Sequence, residues 1–280
     1  MKILDKFRLN EKTALVTGGA MGIGKAFCIG LAEAGADVAV ADIDEATAKQ
    51  TAAEVSILGR RSLPLKVDVT KPEEVHSMVQ SVVNTFGHLD IGVNNAGGAR
   101  GARWAENITV ENFDFGLILN LRTVFNCAQE EALVMIPQKK GKIINTASIA
   151  GSVVISQATY SASKAGVIML TKVLANEWGR CGINVNCISP GRTVTRGASW
   201  VNFPDTVKER WANAIPLGRL GQVNDMVGSL IFLASEASDY VTGLNLIVDG
   251  GSSLGPYEQE QVLYYKDKPL WLDELGSSIQ

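Results

Sequence analysis

Seven short apolar runs alternate with helical stretches along this chain: Ala14–Val16, Val38–Ala41, Leu63–Val67, Ile91–Val93, Ile143–Ile144, Val185–Ile188 and Leu246–Val248. None shows a strict apolar–polar alternation, which is the pattern of parallel strands buried on both faces. Between them, Lys25–Ala34, Asp44–Leu58, Pro72–Phe86, Val110–Met135, Ala158–Trp178 and Val223–Ala234 read as helices. Pro72 suits a first helical turn, and Gly35, Gly59, Gly87 and Gly182 stand where helices should stop. Strand–helix repetition of this kind predicts a doubly wound α/β parallel sheet of about seven strands, with helices on both faces and the ligand at the carboxyl ends of the strands. The repetition is continuous, so one domain is expected in 280 residues.

The first strand runs into Thr17-Gly18-Gly19-Ala20-Met21-Gly22-Ile23-Gly24 and then a helix. Strand, glycine turn and helix is the setting of a nucleotide site. Glycines let the backbone approach a pyrophosphate, and the helix N-terminus offers free N–H groups and partial positive charge. The spacing is Gly-x-x-x-Gly-x-Gly rather than Gly-x-Gly-x-x-Gly. The second apolar run ends in Asp42, about twenty residues on, where an acid suits a ribose 2′-hydroxyl and repels a 2′-phosphate. Ile43, Asp44 and Glu45 follow it, with no base among them, so NAD is favoured over NADP. Asp44 is the better candidate to cap the next helix.

Tyr160 and Lys164 are four residues apart and share a helix face. A phenol has a pKa near 10, and an adjacent ammonium favours its ionised form. A hydroxyl such as Ser148, brought to the same pocket, would hydrogen-bond an alcohol or ketone oxygen as charge develops there.

Together these pieces resemble the short-chain dehydrogenase/reductase family, in its ordinary branch of about 250 residues. The resemblance covers roughly residues 7 to 253 and rests on Thr17-Gly18-x-x-x-Gly22-x-Gly24, Asp68 in Val67-Asp68-Val69-Thr70, Asn94-Asn95-Ala96-Gly97, Asn120, Ser148, Tyr160-x-x-x-Lys164, Pro190-Gly191 and Val248-Asp249-Gly250-Gly251. It implies a Rossmann-type fold and hydride transfer between a secondary alcohol and a nicotinamide cofactor. Tyr160 would be the general acid/base. Lys164 would lower its pKa and hold the nicotinamide ribose, Ser148 would position the reacting oxygen, and Asn120 would hold a water in a proton relay. Gly18, Gly22, Ile23 and Gly24 would bind the cofactor's phosphates, and Asp42 its ribose. Asp68 and Val69 would contact the adenine, and Asn94, Ala96 and Gly97 would line the floor. Pro190, Gly191, Thr193 and Thr195 would meet the nicotinamide end. Ala147 precedes Ser148 where many relatives have a second serine. Arg122 and Arg192 stand where many relatives carry smaller or apolar residues. A homotetramer, or a homodimer, is also implied.

Two regions should choose the substrate. Gly97 to Trp104 is glycine-rich and carries Arg100 and Arg103; Arg192 to Pro216 carries Arg196, Trp200, Phe203 and Trp211. The second would serve as a lid that excludes water. Arg100, Arg103, Arg196 and Trp200 are the candidate substrate residues. Arginines beside a pocket suit an anionic or strongly polar hydroxy substrate, although solvated surface arginines and subunit salt bridges would look the same. Residues 1–254 form the expected catalytic domain. The extension 255–280 holds Tyr257, Tyr264, Tyr265 and Trp271, which should pack either on their own subunit or across a partner.

A net charge of −3 gives no case for nucleic acid. No run is long enough to span a membrane, and Met1 to Asn10 lacks a signal-peptide core. Cys28, Cys127, Cys181 and Cys187 form no Cys-x-x-Cys, so free thiols in the cytoplasm are expected. With only His76 and His88, no metal site is expected. The alternatives to an NAD-linked alcohol dehydrogenase are an NADPH-dependent ketoreductase of 3-ketoacyl type and a nucleotide-binding protein without catalysis.

Overall fold

Strand β1 (Thr13–Thr17) is buried along its whole length at the centre of a parallel sheet. The computed structural model of the chain describes residues 2–99, 104–155, 157–195 and 202–255. The chain runs from β1 through α1 (Gly22–Glu33), β2 (Asp37–Asp42), α2 (Glu45–Ile57), β3 (Ser62–Lys66), α3 (Pro72–Phe86) and β4 (Ile91–Asn94). It then crosses to α4 (Val110–Leu117), α5 (Thr123–Gln138), β5 (Gly141–Thr146), α6 (Ala158–Trp178) and β6 (Ile183–Pro190). A short pair, β7 (Thr193–Val194) and β8 (Gly221–Gln222), flanks α7 (Asp205–Asn213); α8 (Val227–Ala234) and β9 (Asn245–Val248) complete the chain's described elements.

The main sheet has seven strands in the order β3-β2-β1-β4-β5-β6-β9, every pair parallel. The seven apolar runs are these seven strands. The order reverses between β1 and β4, which opens the crevice where doubly wound sheets take ligands. Pro64 lies in β3, an edge strand, where a missing N–H is tolerated. One face of the sheet packs on α1 and α8 through Phe27, Leu31, Leu230 and Leu233. The other packs on α3, α5 and α6 through Val75, Met78, Met135 and Leu174.

Two features differ from the sequence expectation. The single helix expected over Val110–Met135 is divided by a π-helical turn at Ile118–Arg122, and Asn120 sits within it. A turn widened by one residue leaves the apolar periodicity on either side intact, so sequence does not betray it. Helix α7 was expected only as a polar, aromatic-containing loop. The four cysteines are free as expected, three of them buried and Cys181 half-buried. Among the described residues no helix is long and apolar enough to cross a membrane.

Candidate active site

The glycine loop joins β1 to α1. Helix α2 is capped by Asp44, which accepts from Thr47 N at 3.1 Å, and α4 by Thr109. Helix α1 has no capping side chain at Met21, so its first N–H groups are left for another acceptor. Gly18 and Gly22 have φ of +64° and +59°, and a Cβ on Gly24 would overlap the Gly18 carbonyl. A Cβ on Gly22 would overlap Thr195 Oγ1, so Thr195 stands directly over the loop. Ile23 packs on the core beneath. Asp42 ends β2 beside this loop. Ala20 N–H donates to its Oδ2 and Asp44 N–H to its Oδ1, each at 3.1 Å. Each oxygen keeps a further lone pair. An uncapped helix start, a glycine cradle and an oriented carboxylate fit a dinucleotide's phosphates and ribose. Asp68 takes two bonds from Thr70, Oγ1 at 2.7 Å and N at 3.0 Å, which hold its carboxyl below the usual range. Val69 beside it is buried.

The end of β4 shows a division of labour that the sequence did not reveal. Asn94 turns its amide into the sheet interior, donating to Glu131 Oε2 and Asn145 Oδ1 at 3.1 Å each. Asn95 makes the contacts to the glycine loop: its Nδ2 donates to the Thr17 and Gly18 carbonyls at 3.2 Å each. Ala96 N–H donates to Thr17 Oγ1 at 3.2 Å, and its Cα lies 2.9 Å from where a Gly18 Cβ would be. Asn95 was missed because two identical residues in sequence differ only in the sheet face they meet. Gly97 has φ +147° and leads to Gly98, whose N–H donates to Asn120 Oδ1 at 2.8 Å. Asn120 Nδ2 donates in turn to Gly98 O and Gly116 O, so its whole amide is engaged.

Ser148 follows β5 and caps a short turn, accepting from Ala150 N at 3.1 Å. Its side chain also lies close enough to Tyr160 to favour the ionised phenol. Lys164, one turn on along α6, places Nζ 5.6 Å from the Tyr160 ring centroid and donates to Thr146 O at 2.6 Å. The sequence argument expected the ammonium to draw the phenol's pKa down. In this pocket burial dominates and pushes Tyr160 up, with Ser148 opposing it. Burial also brings Lys164 down to about 8, against a smaller contrary effect of Cys187. Thr146 Oγ1 donates to Asn95 Oδ1 at 3.4 Å. A line of hydrogen bonds therefore runs from Gly18 through Asn95 and Thr146 to Lys164, whose Nζ stands 5.6 Å from the Tyr160 ring centroid.

On the far side, Pro190 ends β6 and Gly191 N–H donates to Val248 O at 3.0 Å. A Gly191 Cβ would lie 2.7 Å from Asp249 Cα, so only glycine fits. Thr193 is buried, with Oγ1 donating to Gly191 O at 3.2 Å. A cavity of about 390 Å³ opens beside Tyr160, walled by Gly98, Asn112, Phe115, Asn120 and Gln157 among others. Arg100, Arg103, Arg196 and Trp200 lie outside the described residues. Arg122 donates to the Thr70 carbonyl at 2.9 Å. Arg192 instead stacks on Trp211, its Cζ 4.1 Å from the ring centroid, and Trp211 meets Phe203 with centroids 5.6 Å apart. Among the described residues no cluster of histidine, cysteine or acid could hold a metal.

The chain is similar to known proteins in sequence and in fold. A family profile described as Enoyl-(Acyl carrier protein) reductase matches residues 18–253. A 2-dehydro-3-deoxy-D-gluconate 5-dehydrogenase of Escherichia coli (strain K12) is 40% identical over 253 residues, covering 89% of this chain and 98% of the relative. The 3-oxoacyl-(acyl-carrier-protein) reductase FabG of Staphylococcus aureus (strain Mu50 / ATCC 700699) is 39% identical over 246 residues, covering 86% and 97%. A solved structure of 7α-hydroxysteroid dehydrogenase complexed with NADH and 7-oxo glycochenodeoxycholic acid superposes with a TM-score of 0.85 at 32% identity, covering 90% of this chain and 98% of that one.

Proposed function

The chain belongs to the short-chain dehydrogenase/reductase family and is an NAD(P)-dependent oxidoreductase, and from that premise we propose that it uses NAD to oxidise a polar secondary alcohol, anionic or polyol-like, with Tyr160 as the general acid/base. The bound nicotinamide supplies the hydride acceptor, or the donor in reverse. Ser148 Oγ holds the substrate oxygen. As the carbon gives up its hydride, Tyr160 Oη takes the hydroxyl proton. The Lys164 ammonium beside the ring favours that phenolate, and Asn120 keeps the loop from Gly97 to Gly98 in place behind it. The observation that carries this reading is the convergence of Ser148, Tyr160 and Lys164: Ser148 bears on the buried phenol, and Lys164, with Nζ 5.6 Å from the Tyr160 ring centroid, is linked through Thr146 and Asn95 to the glycine loop.

NAD is preferred because Asp42 already faces the loop with both oxygens oriented, and its charge opposes a 2′-phosphate. The likeness to FabG favours a second reading, a ketoreductase acting in the opposite direction with NADPH. Purified protein offered NAD or NADP with polar secondary alcohols at alkaline pH separates them by the absorbance of the reduced nicotinamide. The first reading requires a higher kcat/KM with NAD; the second requires NADPH and a ketone. Silence with both cofactors over the panel would dismiss each.

The unpaired cysteines and the reaction class support a cytoplasmic enzyme. A homotetramer, or a homodimer, belongs to the same reading; the C-terminal extension beyond Gly255 lies outside the described residues.

A further inference from the structure

Glu131 on α5 has no exposed surface. Its carboxyl lies against the β4 backbone, where a Cβ on Gly92 would collide with it. Its Oε2 accepts from Asn94 Nδ2, which also donates to Asn145 Oδ1 across the β4–β5 pair. Asn145 Nδ2 donates to Thr171 Oγ1 of α6 at 3.0 Å. Two buried atoms of this cluster have no partner: Glu131 Oε1 and Asn94 Oδ1. They belong to the same two residues that already share one hydrogen bond.

A carboxylate leaves both atoms unsatisfied, because each is an acceptor. A carboxylic acid satisfies both at once. Its O–H on Oε1 would donate to Asn94 Oδ1 and, with the existing N–H···Oε2 bond, would close a two-point acid–amide ring. Among the described residues no cation is paired with Glu131. On α5 itself the neighbours are Cys127, which burial and the acids nearby push up, and Glu130, which turns to His76 of α3 at 2.8 Å. Strands β4 and β5 present Asn94 and Asn145, and α6 presents Thr171.

We propose that Glu131 is a positioning residue of the hydride-transfer site, acting as a neutral acid that clamps Asn94 and so fixes the ends of β4 and β5. This rests on the functional reading above. The residues that follow the clamped pair build the site: Asn95 holds the glycine loop, and Thr146 anchors Lys164. Loss of the Glu131 proton takes that donor away from Asn94 Oδ1 and leaves a charge in apolar surroundings. Burial raises this carboxyl to about 8, so the change falls in the alkaline range.

Glu131→Gln tests the clamp, since a carboxamide presents one donor and one acceptor and does not titrate; Glu131→Leu removes both. The readouts are infrared difference spectra and kcat/KM profiles of the whole enzyme across neutral and alkaline pH. The wild type should show a protonated-carboxyl stretch at neutral pH that disappears on titration through about 8, and E131Q should lack it. E131Q should keep near-normal kcat/KM at neutral pH and fall less in alkali. Lys164 titrates in both, so the difference between profiles belongs to Glu131. E131L should lose about tenfold or more at neutral pH. Absence of that stretch in the wild type overturns the proposal, as does an E131Q profile that superposes on the wild type. Failure of E131L to fold leaves both of these readouts decisive. A wild type that transfers no hydride overturns the functional reading, and the infrared titration still decides the acid.

Discussion

The Lys164 ammonium donates to the Thr146 carbonyl at 2.6 Å, so the lysine is tied to the end of β5 independently of any ligand. Its charge is thereby fixed one helical turn from the Tyr160 hydroxyl. Lys164→Met should leave the fold intact and lower kcat by about 10²- to 10⁴-fold, the range of a general acid–base contribution. Near-normal turnover in that variant, with circular dichroism unchanged, would remove Lys164 from the chemistry.

On the reading proposed above Tyr160 carries the proton, so Tyr160→Phe should bind NAD normally and lose about 10²- to 10⁴-fold in kcat. A further sign distinguishes this residue. Burial raises its pKa in the free enzyme, whereas the oxidised nicotinamide brings a positive charge beside it. Saturating NAD should therefore lower the pH at which tyrosinate absorbance appears. An unchanged titration on adding NAD would count against phenolate as the base.

Asp42 faces the glycine loop through Ala20 N–H. Asp42→Asn keeps an acceptor for that bond and removes the charge that opposes a 2′-phosphate. The NAD-to-NADP ratio of kcat/KM should fall by about tenfold or more, on the order of 1–3 kcal/mol of discrimination. A ratio that does not move would assign cofactor choice elsewhere.

Some of this site is legible in sequence for a physical reason. Strand–turn–helix context fixes what Gly18, Gly22 and Gly24 must do, and a four-residue spacing on a helix puts Tyr160 beside Lys164 wherever that helix lies. Asp42 is legible because a parallel strand ends at the rim. The roles of Asn94 and Asn95 are not, because which of two adjacent residues faces the glycine loop depends on the register of β4 against β1. Nor is the packing of Thr195 over Gly22, since the two are far apart along the chain. Glu131 reads as one acid among helical surface residues. Only the packing of α5 onto β4 shows that it is buried.

Arg192 follows Gly191 at the end of β6 and has no carboxylate partner among the described residues; its guanidinium is held over Trp211 instead. Arg60, Arg61 and Arg219, by contrast, are each paired with an acid. A desolvated, oriented guanidinium suits a substrate carboxylate. Arg192→Gln should raise KM for an anionic hydroxy substrate by about tenfold, as expected for one lost charge-assisted hydrogen bond, and leave kcat and the KM of neutral alcohols nearly unchanged. Equal effects on charged and neutral substrates would make Arg192 a packing residue of α7.

Glu131 also makes stability depend on pH in a defined direction. Its carboxyl is raised from an ordinary 4.5 to about 8 in the folded protein. The native state therefore keeps a proton that the unfolded chain has released throughout that interval, and the stabilising effect of the neutral acid is complete below about 4.5. It declines as pH rises towards 8 and is gone above it. The accumulated penalty on the buried charge is on the order of 5 kcal/mol, reduced by whatever relaxation lets water reach the carboxyl. Glu131→Gln removes this dependence without removing the hydrogen bonds. Urea unfolding at fixed protein concentration should show the wild type losing stability relative to E131Q between mildly acidic and alkaline pH, with the gap levelling off beyond 8. Parallel stability curves for the two proteins would mean that Glu131 ionises as an ordinary acid, and the acid–amide ring would have to be abandoned.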